Sequence, residues 1–168
     1  AIPVSNVAFH PHERFMAVSS QGRIRMLSVD DCSDVGGFES VRSPYVDLQF
    51  SPDGEWLVGM DAGGDRLDVW TWKTESQRVW NRRQFEGEDA YRYTQGWREF
   101  DITRDSQSIW LALGTRPEEV ELTVVDVGTL TDVTTIPVSS ETVWRGYLMQ
   151  WSENGRLMGL LALDRGVS

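Results

Sequence analysis

Apolar and polar positions alternate with a period near two along most of this chain, and short polar turns interrupt the alternation at regular intervals. One unit recurs: an apolar stretch ending in an aromatic residue or Ile, a polar turn, then a second apolar run. It runs from Val7 to Val18, from Leu48 to Val58, from Phe100 to Leu111 and from Leu148 to Gly159. Its anchor residues Phe9, Phe50, Ile102 and Trp151 lie 41, 52 and 49 residues apart. The turns carry hairpin chemistry. Pro52-Asp53-Gly54 pairs a fixed φ with a glycine that accepts a positive one, and Asn154-Gly155 is a two-residue turn signal. Between the turns, Arg23 to Val29, Arg66 to Trp72, Gln77 to Trp80, Val120 to Val127 and Asp132 to Val138 are short and rich in β-branched and aromatic residues, as strands are. Tyr147 to Trp151 and Arg156 to Leu163 form the last pair. No window of a dozen residues holds a helical period, so the sequence predicts an all-β chain.

A repeat of roughly 40 to 50 residues built from short strands is the signature of β-propeller blades, each of four antiparallel strands. The predicted blades cover residues 4–43, 44–97, 98–146 and 147–168, all within one propeller domain, 1–168. The fourth has only its first two strands. About three and a half blades make an incomplete ring, since closure normally needs at least four full blades. The turn Phe50-Ser51-Pro52-Asp53-Gly54 resembles that of WD40-like repeats, and is shared with TolB-like proteins and with the propellers of prolyl-oligopeptidase-type enzymes. Val69-Trp70 looks like the end of a WD40 third strand, but Thr71 stands where that family has Asp. A Gly-His pair before the first strand is missing from every copy. The resemblance implies a propeller that works by protein–protein interaction. An open ring leaves strand edges unpaired. The expected partners are therefore a protein ligand or the remainder of a larger propeller, with a homodimer that completes the ring as the alternative.

Charge and composition narrow the function further. The formal net charge of −10 argues against a nucleic-acid partner, which would need clustered Lys and Arg. No apolar stretch approaches the roughly 18 residues of a membrane helix. The single cysteine, Cys32, excludes an internal disulfide and fits a cytoplasmic setting; a periplasmic one would require a removed signal peptide. Cys32 lies among Asp30, Asp31 and Asp34, a setting unsuited to a nucleophilic thiolate. The chain has eight tryptophans. Trp56 and Trp110, with Phe15 and Leu157, are read as equivalent residues opening the second strand of each blade, where packing explains them.

No catalytic set emerges. His10 and His12 flank Pro11 and read as exposed turn residues without a third metal ligand. Asp61-Ala62-Gly63-Gly64-Asp65 lacks calcium-loop spacing and reads as a turn. There is no Gly-x-Ser-x-Gly elbow and no phosphate-cradling loop. The expectation is a non-enzyme without metal or cofactor. The second repeat is longer than the first, and its surplus falls between Asn81 and Trp97, where Arg alternates with aromatic residues as at interface hot spots. Arg82, Arg83, Tyr91, Arg92, Tyr93 and Trp97 are the predicted partner-binding residues, joined by Trp144 and Arg145 in the next inter-blade connection. The competing reading tucks Phe85 or Trp97 between blades and pairs the arginines with Glu86, Glu88 and Asp89. The expected function is a WD40-like interaction scaffold. The alternatives are the non-catalytic propeller of a larger hydrolase and a TolB-like envelope protein.

Overall fold

A computed structural model describes residues 6–20, 23–39, 45–61, 66–74, 76–81, 98–116, 119–139, 147–151 and 158–162. Three four-stranded antiparallel meanders and one two-stranded sheet account for the described strands, and no helix occurs among the described residues. The first blade is β1 (Asn6–Phe9), β2 (Phe15–Ser20), β3 (Arg23–Ser28) and β4 (Asp34–Glu39). The second is β5 (Tyr45–Phe50), β6 (Leu57–Asp61), β7 (Arg66–Thr71) and β8 (Ser76–Asn81). The third is β9 (Arg98–Ile102), β10 (Ser108–Arg116), β11 (Glu119–Asp126) and β12 (Asp132–Ser139), and β13 (Tyr147–Trp151) pairs with β14 (Met158–Ala162). Each four-stranded sheet follows chain order, so every connection within it is a hairpin. The chain divides into two compact units, Ala1–Arg82 and Arg83–Ser168.

In the first unit β1 lies beside β5, and in the second β9 lies beside β13. Within each unit the two neighbouring sheets thus meet through their first strands, as adjacent propeller blades do. The repeat spacing is what builds this. Phe9, Phe50, Ile102 and Trp151 each end the first strand of their sheet, as the sequence expects. The predicted β strands form with ends shifted by a residue or two. Asp34–Glu39 is the strand that the sequence pattern hides, because Gly36-Gly37 interrupts its alternation and a bulge opposite Met26 and Leu27 shifts its register.

Between the first two blades, Ala8, Ala17, Ile24 and Met26 meet Tyr45, Leu48, Leu57 and Trp70 in one buried cluster. Phe15, Phe38, Phe50 and Trp72 close its margin. The small side chains of Ala8 and Ala17 leave room for Trp70, whose ring stacks on Phe38 at 5.6 Å and meets Tyr45 edge-on at 5.3 Å. Asp68, 2% exposed, is satisfied within this layer. It accepts hydrogen bonds from Tyr45 Oη (2.6 Å), Arg66 Nη2 (2.6 Å) and Gln77 Nε2 (2.9 Å), so its buried charge is both paired and hydrogen-bonded. In the third blade the described core residues include Phe100, Ile102, Ile109, Leu111, Ala112, Leu122, Val124, Val125 and Val127.

Candidate functional site

The three described first hairpins close with the same backbone bond, from the residue after the first strand to the residue five further on. His10 N donates to Phe15 O (3.0 Å), Ser51 N to Trp56 O (2.9 Å) and Thr103 N to Ser108 O (2.9 Å). This register corrects one sequence equivalence: Ser108, not Trp110, matches Phe15 and Trp56, and Trp110 lies two residues further along β10. The strand begins earlier in the third blade than its aromatic residue suggests.

Inside that shared frame the second and third turns are self-contained. Ser51 Oγ donates to Asp53 Oδ1 (2.5 Å) and accepts from Trp56 N (3.0 Å). Thr103 Oγ1 donates to Asp105 Oδ1 (2.6 Å) and accepts from Ser108 N (3.0 Å). Each needs a left-handed residue, Gly54 (φ 75°) or Ser106 (φ 61°).

His10 replaces the hydroxyl in the first turn, and the expectation of an exposed turn histidine is overturned, for it is 8% exposed. Its Nδ1 accepts from the backbone N–H groups of His12 (3.1 Å) and Glu13 (2.9 Å). The proton therefore sits on Nε2, which donates to Gly54 O of the second blade (3.1 Å). Trp72 Nε1 donates to the same carbonyl (2.8 Å). Phe15, Phe50 and Trp72 surround the imidazole at centroid distances of 4.6, 4.9 and 5.5 Å. Burial pushes the His10 pKa below its ordinary value, against the Gly54 bond and the Glu13 charge, while the charges of His12 and Lys73 push it the same way as burial. His12 remains on the exposed side of the turn.

Beside this junction lies an open cleft of about 440 Å³. Phe15, Met26, Val35 and Phe38 of the first blade and Trp72 of the second supply its apolar lining, and Ser28 adds a hydroxyl. Gly36 and Gly37 line it with backbone alone, and Glu13 and Arg14 stand at its rim. The backbones of the two sheets meet at β1, β2 and β5, and the cleft lies towards β4, alongside the Phe38–Trp70 stack. Arg14 pairs with Asp30, Arg25 with Asp34 (2.8 Å) and Lys73 with Glu55 (2.7 Å). These are exposed pairs that organise the surface more than they stabilise it.

The predicted partner-binding residues Arg82, Arg83, Tyr91, Arg92, Tyr93, Trp97, Trp144 and Arg145 lie outside the described residues, as do Ala62 to Asp65. The sequence reasoning missed the cleft and the role of His10. One signal was present: His10 occupies the position of Ser51 and Thr103 in the aligned repeats, so a side chain with two ring nitrogens stands where a hydroxyl serves elsewhere. Among the described residues no group of three His, Cys, Asp or Glu side chains is placed to hold a metal ion. No helix among them is long and apolar enough to cross a membrane.

No protein-family model matches the chain, and no curated protein matches it in sequence. Its backbone is similar to solved structures, among them a chain of Kuenenia stuttgartiensis hydrazine synthase. That match has a TM-score of 0.72 and 15% identity, and covers 99% of this chain and 44% of the other. At that identity the likeness establishes the fold. The present chain spans less than half the length of the solved chain it matches.

Proposed function

We propose that this chain is a non-catalytic interaction scaffold, a run of WD40-like propeller blades that holds a protein partner at the outer ends of its blades and through its inter-blade connections. The observation that carries the reading is the aromatic-lined cleft between the first two blades, open beside the hydrogen-bonded His10–Gly54 junction. The Arg- and aromatic-rich connection from Arg82 to Trp97, with Trp144 and Arg145, supplies residue types favoured at hot spots.

The test is retention of a co-purifying protein on the immobilised chain. Replacing Tyr91, Tyr93 and Trp97 together by Ala is expected to abolish retention while the circular dichroism of the sheets is unchanged. Undiminished retention would remove the connection from the binding surface.

A second reading is favoured by the length difference in the structural match: a blade set of this kind forms part of a larger enzyme chain. On that reading the blades are the non-catalytic propeller of a longer hydrolase and restrict access to an active site elsewhere. An α/β-hydrolase segment in the complete reading frame would favour it, and an upstream signal peptide would instead favour a TolB-like envelope protein.

A further inference from the structure

We infer that the cleft and the outer edge of β4 together form a docking site for an extended, basic peptide segment of a partner protein. The segment would pair with β4 as an added strand and place one apolar side chain in the cleft. The inference rests on the scaffold reading and names a second surface for it, apart from the inter-blade connections.

Three observations converge. First, β4 is the terminal strand of its sheet, with one edge unpaired by any described strand. Edge strands are usually protected by proline or charge. The last strand of the third blade carries Pro137, and that of the second carries Arg78, whose guanidinium covers the Trp56 ring at 4.7 Å. The centre of β4, Val35-Gly36-Gly37-Phe38, has neither protection. Val35 is 57% exposed, and a Cβ built on Gly36 meets nothing within 4 Å, so another backbone can approach closely.

Second, the cleft adjoins that edge. Val35, Gly36, Gly37 and Phe38 line it together with Phe15, Met26 and Trp72. At about 440 Å³ it accommodates one large aliphatic or aromatic side chain, while main-chain pairing along β4 would hold the flanking residues.

Third, the charge around the opening is acidic. The turns at this end of the two blades and the start of β4 carry Glu13, Asp30, Asp31, Asp34, Asp53 and Glu55, against Arg14, Lys73 and the mid-strand Arg25. Those cations are each held by one of the carboxylates. The excess of carboxylates matches the net charge of the chain and favours a basic segment over an acidic one.

Isothermal titration with the blocked pentapeptide Lys-Val-Leu-Val-Lys tests this on the full chain. Replacing its central Leu by Ser is expected to weaken binding at least tenfold, through lost apolar burial. Exchanging both Lys for Glu should weaken it at least fivefold. Methylating alternate backbone nitrogens should abolish it, through lost strand pairing. On the protein, Phe38→Ala should weaken binding tenfold. Glu13→Lys, an exposed change that leaves the core untouched, should lower affinity for the Lys peptide and raise it for the Glu peptide. Equal affinity of the parent and both variants overturns the inference, as does tight binding of the N-methylated peptide. The scaffold reading fails separately. If Phe38→Ala and Glu13→Lys leave the co-purifying partner bound while the Tyr91, Tyr93 and Trp97 replacements release it, the scaffold stands and the β4 site falls.

Discussion

The first hairpin of blade one and the first hairpin of blade two answer the same backbone problem with different scope. In blade two, Ser51 and Asp53 satisfy each other and the turn, and Gly54 supplies the left-handed φ. Blade three repeats that solution with Thr103, Asp105 and Ser106. In blade one, the longer imidazole of His10 caps the turn with Nδ1 and has a second nitrogen left over. That nitrogen crosses to the Gly54 carbonyl and joins two blades. No described residue of this turn has a positive φ, since the amides of His12 and Glu13 are gathered by the ring instead. A hydroxyl turn closes on itself, whereas a histidine at the same position becomes an inter-blade contact.

The largest expected effect comes from crowding that contact. A Cβ on Gly54 would lie 2.5 Å from His10 Cε1, at a φ of 75° that L-residues rarely adopt. The ring is pinned at both nitrogens and cannot swing away. Gly54→Ala should cost about 2–4 kcal/mol in urea denaturation, from steric overlap and backbone strain combined. Adding His10→Ala should recover part of the loss, with a coupling of about 1 kcal/mol or more in the double-mutant cycle. Simple additivity would show that the two residues do not share the contact.

Grafting the blade-two turn into blade one sharpens the comparison further. The triple change His10→Ser, His12→Asp and Glu13→Gly keeps a closed hairpin but deletes the cross-blade hydrogen bond and its aromatic contacts. A loss of about 1–3 kcal/mol is expected, since the imidazole leaves a cavity among Phe15, Phe50 and Trp72. An unchanged denaturation midpoint would mean that the cross-blade reach contributes nothing. In blade three, Thr103→Ala removes only local bonds and should cost about 1 kcal/mol.

The smallest effect is a pH slope. The folded chain holds His10 neutral with a lowered pKa, so the unfolded chain takes up a proton more readily once the pH falls below 6.5. Its contribution is present above 6.5 and is lost as the pH falls through the folded pKa. Denaturation midpoints of the parent should therefore fall faster than those of the grafted variant in that window. Asp101 has the opposite sign, because burial raises its pKa and its ionisation opposes folding as the pH rises above 3.8. It is common to both proteins and drops out of the difference between them, and a control carrying only His12→Asp and Glu13→Gly separates the His10 part.

Much of this comparison was legible in the chain. The repeat places His10, Ser51 and Thr103 at one position, because hairpin turns are governed by near neighbours. The burial of His10 was not legible, since it depends on Phe50, Gly54 and Trp72, which lie 40 to 62 residues away. The strand Asp34–Glu39 escaped detection because two glycines give no alternation to read. The cleft escaped because Phe38 and Trp72, which both line it, come from different sheets and lie far apart in sequence. The equivalence of Trp56 and Trp110 failed for a related reason. Aromatic residues mark a strand without marking its register, and backbone hydrogen bonds set that.

The amino-acid order alone determined that this protein is all-β, that it repeats, and where its first strands end, because a period of two and short-range turn chemistry are local properties. Only the tertiary structure decided which polar residues become buried and which sheet edge stays open. Those outcomes belong to the packing of one blade against the next: it hides the His10 ring behind the carbonyl of Gly54, satisfies Asp68 in the interior, and leaves the glycine-rich edge of β4 facing solvent.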